Sequence, residues 1–194
     1  MRGDDILSEV RKTCAFTGHR PKKLSWGYNE ADARCVAVRA ALERQICLLI
    51  QDGVMDFLSG MAEGIDLMAA QIVLDLRAVY PKIKLHCILL HKGQEKKWSL
   101  ASQKRYRAIM EEADSMIYVS RIFHKDCMLE RNRFLVAHSD VLVAVYNGEY
   151  RGGTAATIRY AQKLGRRVIV LDPNAINQSD LNTGNYLNVV VKND

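Results

Sequence analysis

A mostly parallel α/β sheet of about six or seven strands, with helices on both faces, is the fold that the sequence predicts, on three observations. Short apolar runs alternate with longer amphipathic stretches along the chain, which is the order that βαβ units impose. The run at 141–146, Val-Leu-Val-Ala-Val-Tyr, is apolar throughout, as a strand buried on both faces must be. Three strands are followed by glycine-bearing turns, at 17–20, 59–66 and 151–154, the kind of turn that leads from a strand to the start of a helix.

Residues 12–17 end in Cys14-Ala15-Phe16-Thr17 and form the first strand, closed by Gly18. An irregular loop with Pro21 and Gly27 follows. From Asn29 the pattern turns helical: Asn29 is placed to cap, Glu30 and Asp32 suit the positive end of a helix, and Val38, Leu42, Ile46 and Leu49 recur at helical spacing until Gly53. Residues 54–58 form the second strand, and 66–80 a helix with Leu67, Ala70 and Leu74 on one face, stopped by Pro81. A third strand at 82–90 leads into a polar loop at 91–99 that carries Trp98. Helices at 100–113, 128–138 and 154–164 alternate with strands at 116–119, 141–146 and 168–171. The chain, 1–194, reads as a single Rossmann-like domain with its core at 12–173 and a tail at 174–194 that adds an edge strand at 186–191.

Composition narrows the function classes. With 48% hydrophobic residues, 194 residues can bury one full core. The net charge of +6 favours acidic partners, phosphates above all, and does not separate a polymer from a small molecule. Basic clusters at 20–23, 92–97, 104–107 and 131–133 also suit ordinary solvated faces. Cys14, Cys35, Cys47, Cys87 and Cys127 lie far apart with no CxxC pair, so neither a zinc knuckle nor a disulfide framework is indicated, and buried thiols of a reducing compartment are expected. His86, His91, His124 and His138 share no metal-ligand spacing, so no metal site is expected, and nothing calls for a cofactor. The charged residues at 2, 4, 5, 9 and 11 leave no apolar leader, and no apolar run approaches the roughly 18 residues of a membrane span, so a cytoplasmic protein is expected.

The three turns carry the candidate chemistry. In Ser59-Gly60-Met61-Ala62-Glu63-Gly64-Ile65-Asp66, the glycines let backbone approach a ligand, and the helix that follows presents N–H groups to an anion. The competing reading is a tight turn in which Asp66 only caps. Arg151-Gly152-Gly153-Thr154 repeats the pattern with a hydroxyl residue that can cap or touch a phosphate oxygen. No Lys-Ser or Lys-Thr follows the glycines, so this is not a Walker A loop and kinase or ATPase chemistry is disfavoured. Thr17-Gly18-His19-Arg20 follows the first strand at the same sheet edge, where a guanidinium can grip phosphate and an imidazole can donate to ribose or phosphate. A surface His-Arg pair before Pro21 is the plain alternative. Trp98 can stack on a base or fill a gap between sheet and helix. Cys127, beside Asp126, is read as buried and not as a nucleophile.

Taken together, Thr17-Gly18-His19-Arg20-Pro21, the turn at 59–66, Gly93-Gln94 with Trp98, Tyr106, Cys127-Met128 with Arg131-Asn132-Arg133, Ser139-Asp140 and Gly152-Gly153-Thr154 resemble the SLOG superfamily of Rossmann-like proteins, in its YpsA-like branch of bacterial and phage proteins. The resemblance spans about residues 14–171. The turn at 59–66 with Arg131-Asn132-Arg133 is similar to the DNA-processing protein DprA, which implies single-stranded DNA as a partner. Met128-Leu129-Glu130-Arg131-Asn132 and Gly153-Thr154-Ala155-Ala156-Thr157 are similar to motifs of LOG-type phosphoribohydrolases, which cleave the N-glycosidic bond of nucleoside monophosphates. There the motif's lysine is replaced by Asn132 and its glutamate by Thr157, which argues against the same hydrolysis unless Glu63 or Asp66 substitutes. The resemblance implies a nucleotide or ADP-ribose-like ligand. Its phosphates would be held by Gly60, Gly64, Gly152, Gly153 and Thr154, its charge met by Arg20 and Arg131, and its ribose by Glu63 or Asp66. Thr17, Gly18, His19, Ser59, Met61, Trp98 and Asn132 complete the expected wall, and Glu63, Asp66 and Arg131 are the catalytic candidates. Related sites are completed by a neighbouring subunit, so a homo-oligomer is expected.

Overall fold

The computed structural model describes residues 11–120, 124, 126–176 and 189–191. Seven strands form one sheet: β1 (Lys12–Gly18), β2 (Val54–Ser59), β3 (Lys84–Leu89), β4 (Ser115–Tyr118), β5 (Val141–Val145), β6 (Arg167–Leu171) and β7 (Val189–Val191). Their order is β4-β3-β2-β1-β5-β6-β7. The first six are parallel, and β7 pairs antiparallel with β6 at the edge. The expected edge strand is therefore present at 189–191, while 186–188 lie outside the described residues. The helices are α1 (Ala33–Gln51), α2 (Ile65–Leu76), α3 (Leu100–Glu112), α4 (Cys127–Ala137) and α5 (Gly153–Lys163).

The period-2 alternation of the strands divides the core into two layers. Cys14 and Phe16 of β1 join Phe57, Leu85, Val143 and Ile169 beneath α1, α2 and α3. Ala15 points the other way and joins Leu58, Ile88, Leu142 and Val168 beneath α4 and α5. Phe16 and Phe57 stack across β1 and β2 with ring centroids 5.9 Å apart, so the centre of the sheet is fixed by aromatic contact as well as by the ladder. Helix α2 lies between α1 and α3, and ten of its twelve residues are buried. Among the described residues no helix is long and apolar enough to cross a membrane.

The first helix begins later than its sequence suggests. Asp32, not Asn29, is the N-cap, accepting from the Arg34 N–H at 2.9 Å. Asn29 instead closes a turn of its own by accepting from Ala31 N–H. Successive three-residue turns occupy 20–32, so the helical ladder has no register to propagate until Asp32 satisfies its first amides.

Chain direction across the sheet reverses between β1 and β5. Loops leaving the carboxyl ends of these neighbours diverge to opposite faces and leave a crevice, the usual ligand position in open α/β sheets. The turns after β1 and β5 flank that crevice, and the turn after β2 is adjacent to it.

Candidate functional site

The turn after β2 is rigid because its own side chains satisfy it. Ser59, fully buried, accepts from Met61 N–H at 3.1 Å and donates to the Asp66 carbonyl at 2.9 Å. Asp66 accepts from Ala62 N–H at 3.3 Å. Met61 sits at φ 52°, a left-handed conformation that costs a non-glycine residue about 1 kcal/mol. It is held there by Ser59 and by Gln94, whose Nε2 donates to the Met61 carbonyl at 2.9 Å while its Oε1 accepts from Leu90 N–H.

Arg131, on α4, is 6% exposed and reaches into this turn, donating from Nη1 to the Gly60 carbonyl at 2.8 Å. Its other edge donates to Asn132 Oδ1, Asn132 Nδ2 donates to Thr157 Oγ1 at 2.8 Å, and Thr157 donates to the Gly153 carbonyl at 2.8 Å. One chain of hydrogen bonds thus ties the turn after β2 to α4 and to the start of α5. Gly60 is required between Asp66 and Arg131: a Cβ there would stand 2.8 Å from Asp66 Oδ2 and 2.9 Å from Arg131 Cζ. Burial pushes the Asp66 carboxyl upward against the opposing pull of Arg131 and the Ala62 amide, and burial lowers Arg131 against the pull of Asp66.

The loop after β1 locks onto the start of α2. Gly64, at φ 103°, lets the His19 carbonyl and the Pro21 ring lie against it, and a Cβ would fall 2.8 Å from that carbonyl. A Cβ at Gly18 would come closer still to Ile65, at 2.5 Å. His19 is 5% exposed, and its Nε2 lies 2.7 Å from Asn147 Oδ1 in a hydrogen bond that bridges the loops following β1 and β5. Thr17 is buried in β1 beside Ala144. Gly18, Gly64, His19 and Thr17 therefore build the walls of the crevice. Arg20 is exposed and extends toward α4, its Nη2 lying 3.6 Å from Met128 Sδ, and its charge acts on both Asp66 and Arg131.

The start of α5 is different, because it is open. Gly152, at φ 118°, is its N-cap and no side chain caps it. A Cβ at Gly152 would meet only Lys23 Nζ, at 4.0 Å, and one at Gly153 only Asn132 Nδ2, at 3.9 Å. Lys23 is salt-bridged to Glu149, and Asn147 donates to the same carboxylate. Amides without a side-chain cap, two glycines with nothing closer than 3.9 Å to their Cβ positions and the Lys23 ammonium converge on one open place, which suits an anion. Thr154 is buried at 9% exposure behind it.

Two expected residues lie elsewhere. Trp98 meets Tyr106 edge-on at 5.5 Å and packs on the α1–α3 side of the core. Glu63 faces a separate cleft between the 21–30 loop and the starts of α2 and α3. Conversely, Lys23, Asn147, Glu149 and Thr157 take part in the crevice. Lys23 and Glu149 are 126 residues apart and carry no motif, whereas Thr157, four residues beyond Gly153, was visible only as the occupant of a missing glutamate's position.

Fold and site define a Rossmann-like α/β protein with an open, cationic helix start at its switch-point crevice. The chain belongs to the YspA SLOG family, whose model, YpsA, matches residues 14–174. It is 29% identical over 157 residues to a UPF0398 protein of Bacillus velezensis, covering 78% of this chain and 84% of that one. It is 30% identical over 154 residues to a UPF0398 protein of Halalkalibacterium halodurans, covering 78% and 81% respectively. Among solved structures, DNA processing protein A from Helicobacter pylori, described for its single-stranded DNA binding mode, shares the fold with a TM-score of 0.53 and 18% identity, over 89% of this chain and 73% of that one.

Proposed function

We propose that the crevice binds a nucleotide or nucleotide-derived ligand of the ADP-ribose type through its phosphates, and that the protein acts by sensing or sequestering it. The reading rests on the open start of α5, where Gly152 and Gly153 leave room beside uncapped amides and Lys23. Arg20, exposed across the crevice, supplies a second cation. Binding is favoured over bond cleavage because the carboxylates are engaged or averted. Asp66 is buried behind Gly60, Glu149 is paired with Lys23, Glu63 faces the other cleft, and Thr157 spends its hydroxyl on Gly153.

Calorimetry with AMP, ADP, ATP and ADP-ribose tests this. Wild type should bind at least one, and Gly153→Asp, which sets a carboxylate at the helix start, should abolish it. No binding by wild type, or equal binding by the variant, overturns the reading. Chromatography of the same mixtures should show no released base.

A second reading, single-stranded DNA, is supported by the fold shared with the Helicobacter pylori protein and by the net charge of +6. A shift assay at low salt decides it: strand binding that weakens when Arg20 and Arg133 are neutralised favours DNA, and no shift dismisses it.

A further inference from the structure

A second cleft, of about 300 Å³, opens where the 21–30 loop meets the starts of α2 and α3; it shares Pro21 and Gly64 with the contact of the β1 loop on α2, and none of Arg131, Gly60, Gly152 or Gly153 lines it. Its floor is apolar: Leu24, Trp26, Leu67 and Met68 line it and are each buried in the main core. Its rim is acidic in balance. Glu30 is matched by Arg105 at 2.5 Å, which leaves Glu63 as the lining carboxylate without an ion pair among the described residues, with Arg20 near enough for its charge to act on Tyr28 beside it. Glu63 Oε2 accepts one neutral donor, the hydroxyl of exposed Tyr28, at 3.2 Å, and Glu63 Oε1 is buried and accepts no hydrogen bond from the described residues.

A carboxylate offers about four acceptor positions, and one neutral donor leaves it under-satisfied. Its terminal torsion is soft, so either oxygen turns toward the cleft at small cost. An anion would meet the Glu63 carboxylate, which has no ion pair among the described residues, whereas a cation with N–H donors would complete Glu63 and lie against an aromatic ring of Tyr28 or Trp26. The volume is at the small end of ligand clefts, and the floor needs an apolar body to fill it.

We infer that this cleft binds a small organic cation, a primary ammonium on an apolar or aromatic body, with Glu63 as its counter-charge. The site is independent of the nucleotide reading. Tryptamine, indole and indole-3-acetate share one body and differ in charge, and titration of the full chain by calorimetry compares them. Tryptamine should bind with one site, and indole-3-acetate should not compete. Glu63→Gln, which keeps the shape and removes the charge, should weaken tryptamine by about tenfold. Ala101→Trp, on the exposed first turn of α3, should block the cleft without disturbing the core. Gly153→Asp should leave tryptamine binding unchanged, which separates this site from the crevice. No tryptamine binding at millimolar concentration, equal binding of indole-3-acetate, or undiminished binding by Glu63→Gln with a native thermal transition would overturn the assignment.

Discussion

Arg131 Nη1 and the Gly60 carbonyl lie 2.8 Å apart inside the protein, joining two points 71 residues apart in the chain. The same guanidinium holds Asn132, and through Asn132 and Thr157 it fixes the Gly153 carbonyl at the helix start where an anion would sit. Arg131 is therefore a positioning residue: it shapes both walls of the crevice from behind. Removing it leaves the Gly60 carbonyl and the Asp66 carboxyl buried without their cation. Arg131→Met should cost about 3 kcal/mol in urea unfolding, and Arg131→Lys, which keeps the charge and loses the planar fork, should recover only part of that.

The glycines should separate into two groups by stability. Gly60→Ala forces a methyl to within 2.9 Å of both Asp66 and Arg131 and should destabilise by about 1–3 kcal/mol. At Gly18 the methyl would meet three atoms of Ile65 at 2.5–2.8 Å, so Gly18→Ala should be at least as costly. Gly153→Ala meets nothing closer than 3.9 Å at the first turn of a helix and should be neutral or stabilising by up to about 1 kcal/mol. Denaturant midpoints of the three variants give the order directly.

That division explains which parts of the site the sequence disclosed. Strand and helix order was legible because buried parallel strands are apolar without interruption; the turns at 17–20 and 59–66 mark the ends of β1 and β2, whereas the turn at 151–154 marks the start of α5, six residues beyond the end of β5 at Val145. What one sequence does not carry is the partner of each glycine. Gly18 and Gly64 resemble phosphate-loop glycines, yet their empty side is filled by Ile65, His19 and Pro21, while Gly152 and Gly153 face open space. The cation beside them, Lys23, belongs to a loop whose path is set by successive turns and by Pro21 packing on Gly64, a tertiary contact with no local signature. Trp98 was ambiguous between base and core for the same reason, and its edge contact with Tyr106 puts it on the core side.

Asp66 should give the protein a characteristic pH response. Its folded carboxyl titrates above its unfolded value because burial disfavours the charge, so the folded state holds a proton that the unfolded state has released. This group's contribution is most favourable at acid pH and is lost as pH rises from the ordinary carboxylate range through the raised value. Urea midpoints of wild type and Asp66→Asn compared between about pH 4 and 8 should therefore diverge, with wild type gaining on the variant as pH falls. Parallel curves would mean that Arg131 and the Ala62 amide cancel the effect of burial.

One thiol of five should react quickly. Burial pushes Cys14 above the thiol range, Cys35 to about 11 and Cys87 to about 12, and these three and Cys127 are at most 1% exposed. Cys47 is raised as well, but it is only partly covered on α1. A colourimetric disulfide reagent at pH 8 should show a single fast equivalent that Cys47→Ser removes, with the rest appearing only on unfolding.

The pairing of Lys23 with Glu149 sets how the crevice should answer to salt and to mutation. Hydrogen bonding to Lys23, and then to Asn147, holds the Glu149 carboxyl below the usual range, so at neutral pH a negative side chain occupies the Lys23 ammonium beside the α5 start. An incoming phosphate must compete with it. Glu149→Gln removes the competitor and keeps the hydrogen-bonding shape, and it should strengthen binding of inorganic pyrophosphate by about twofold to fivefold at low ionic strength. The gain should fade as salt screens the exposed pair, and Lys23→Gln should weaken binding in both backgrounds. Equal affinity of wild type, Glu149→Gln and Lys23→Gln at low salt would remove Lys23 from the site and leave its positive field to the open helix start and the arginines near it.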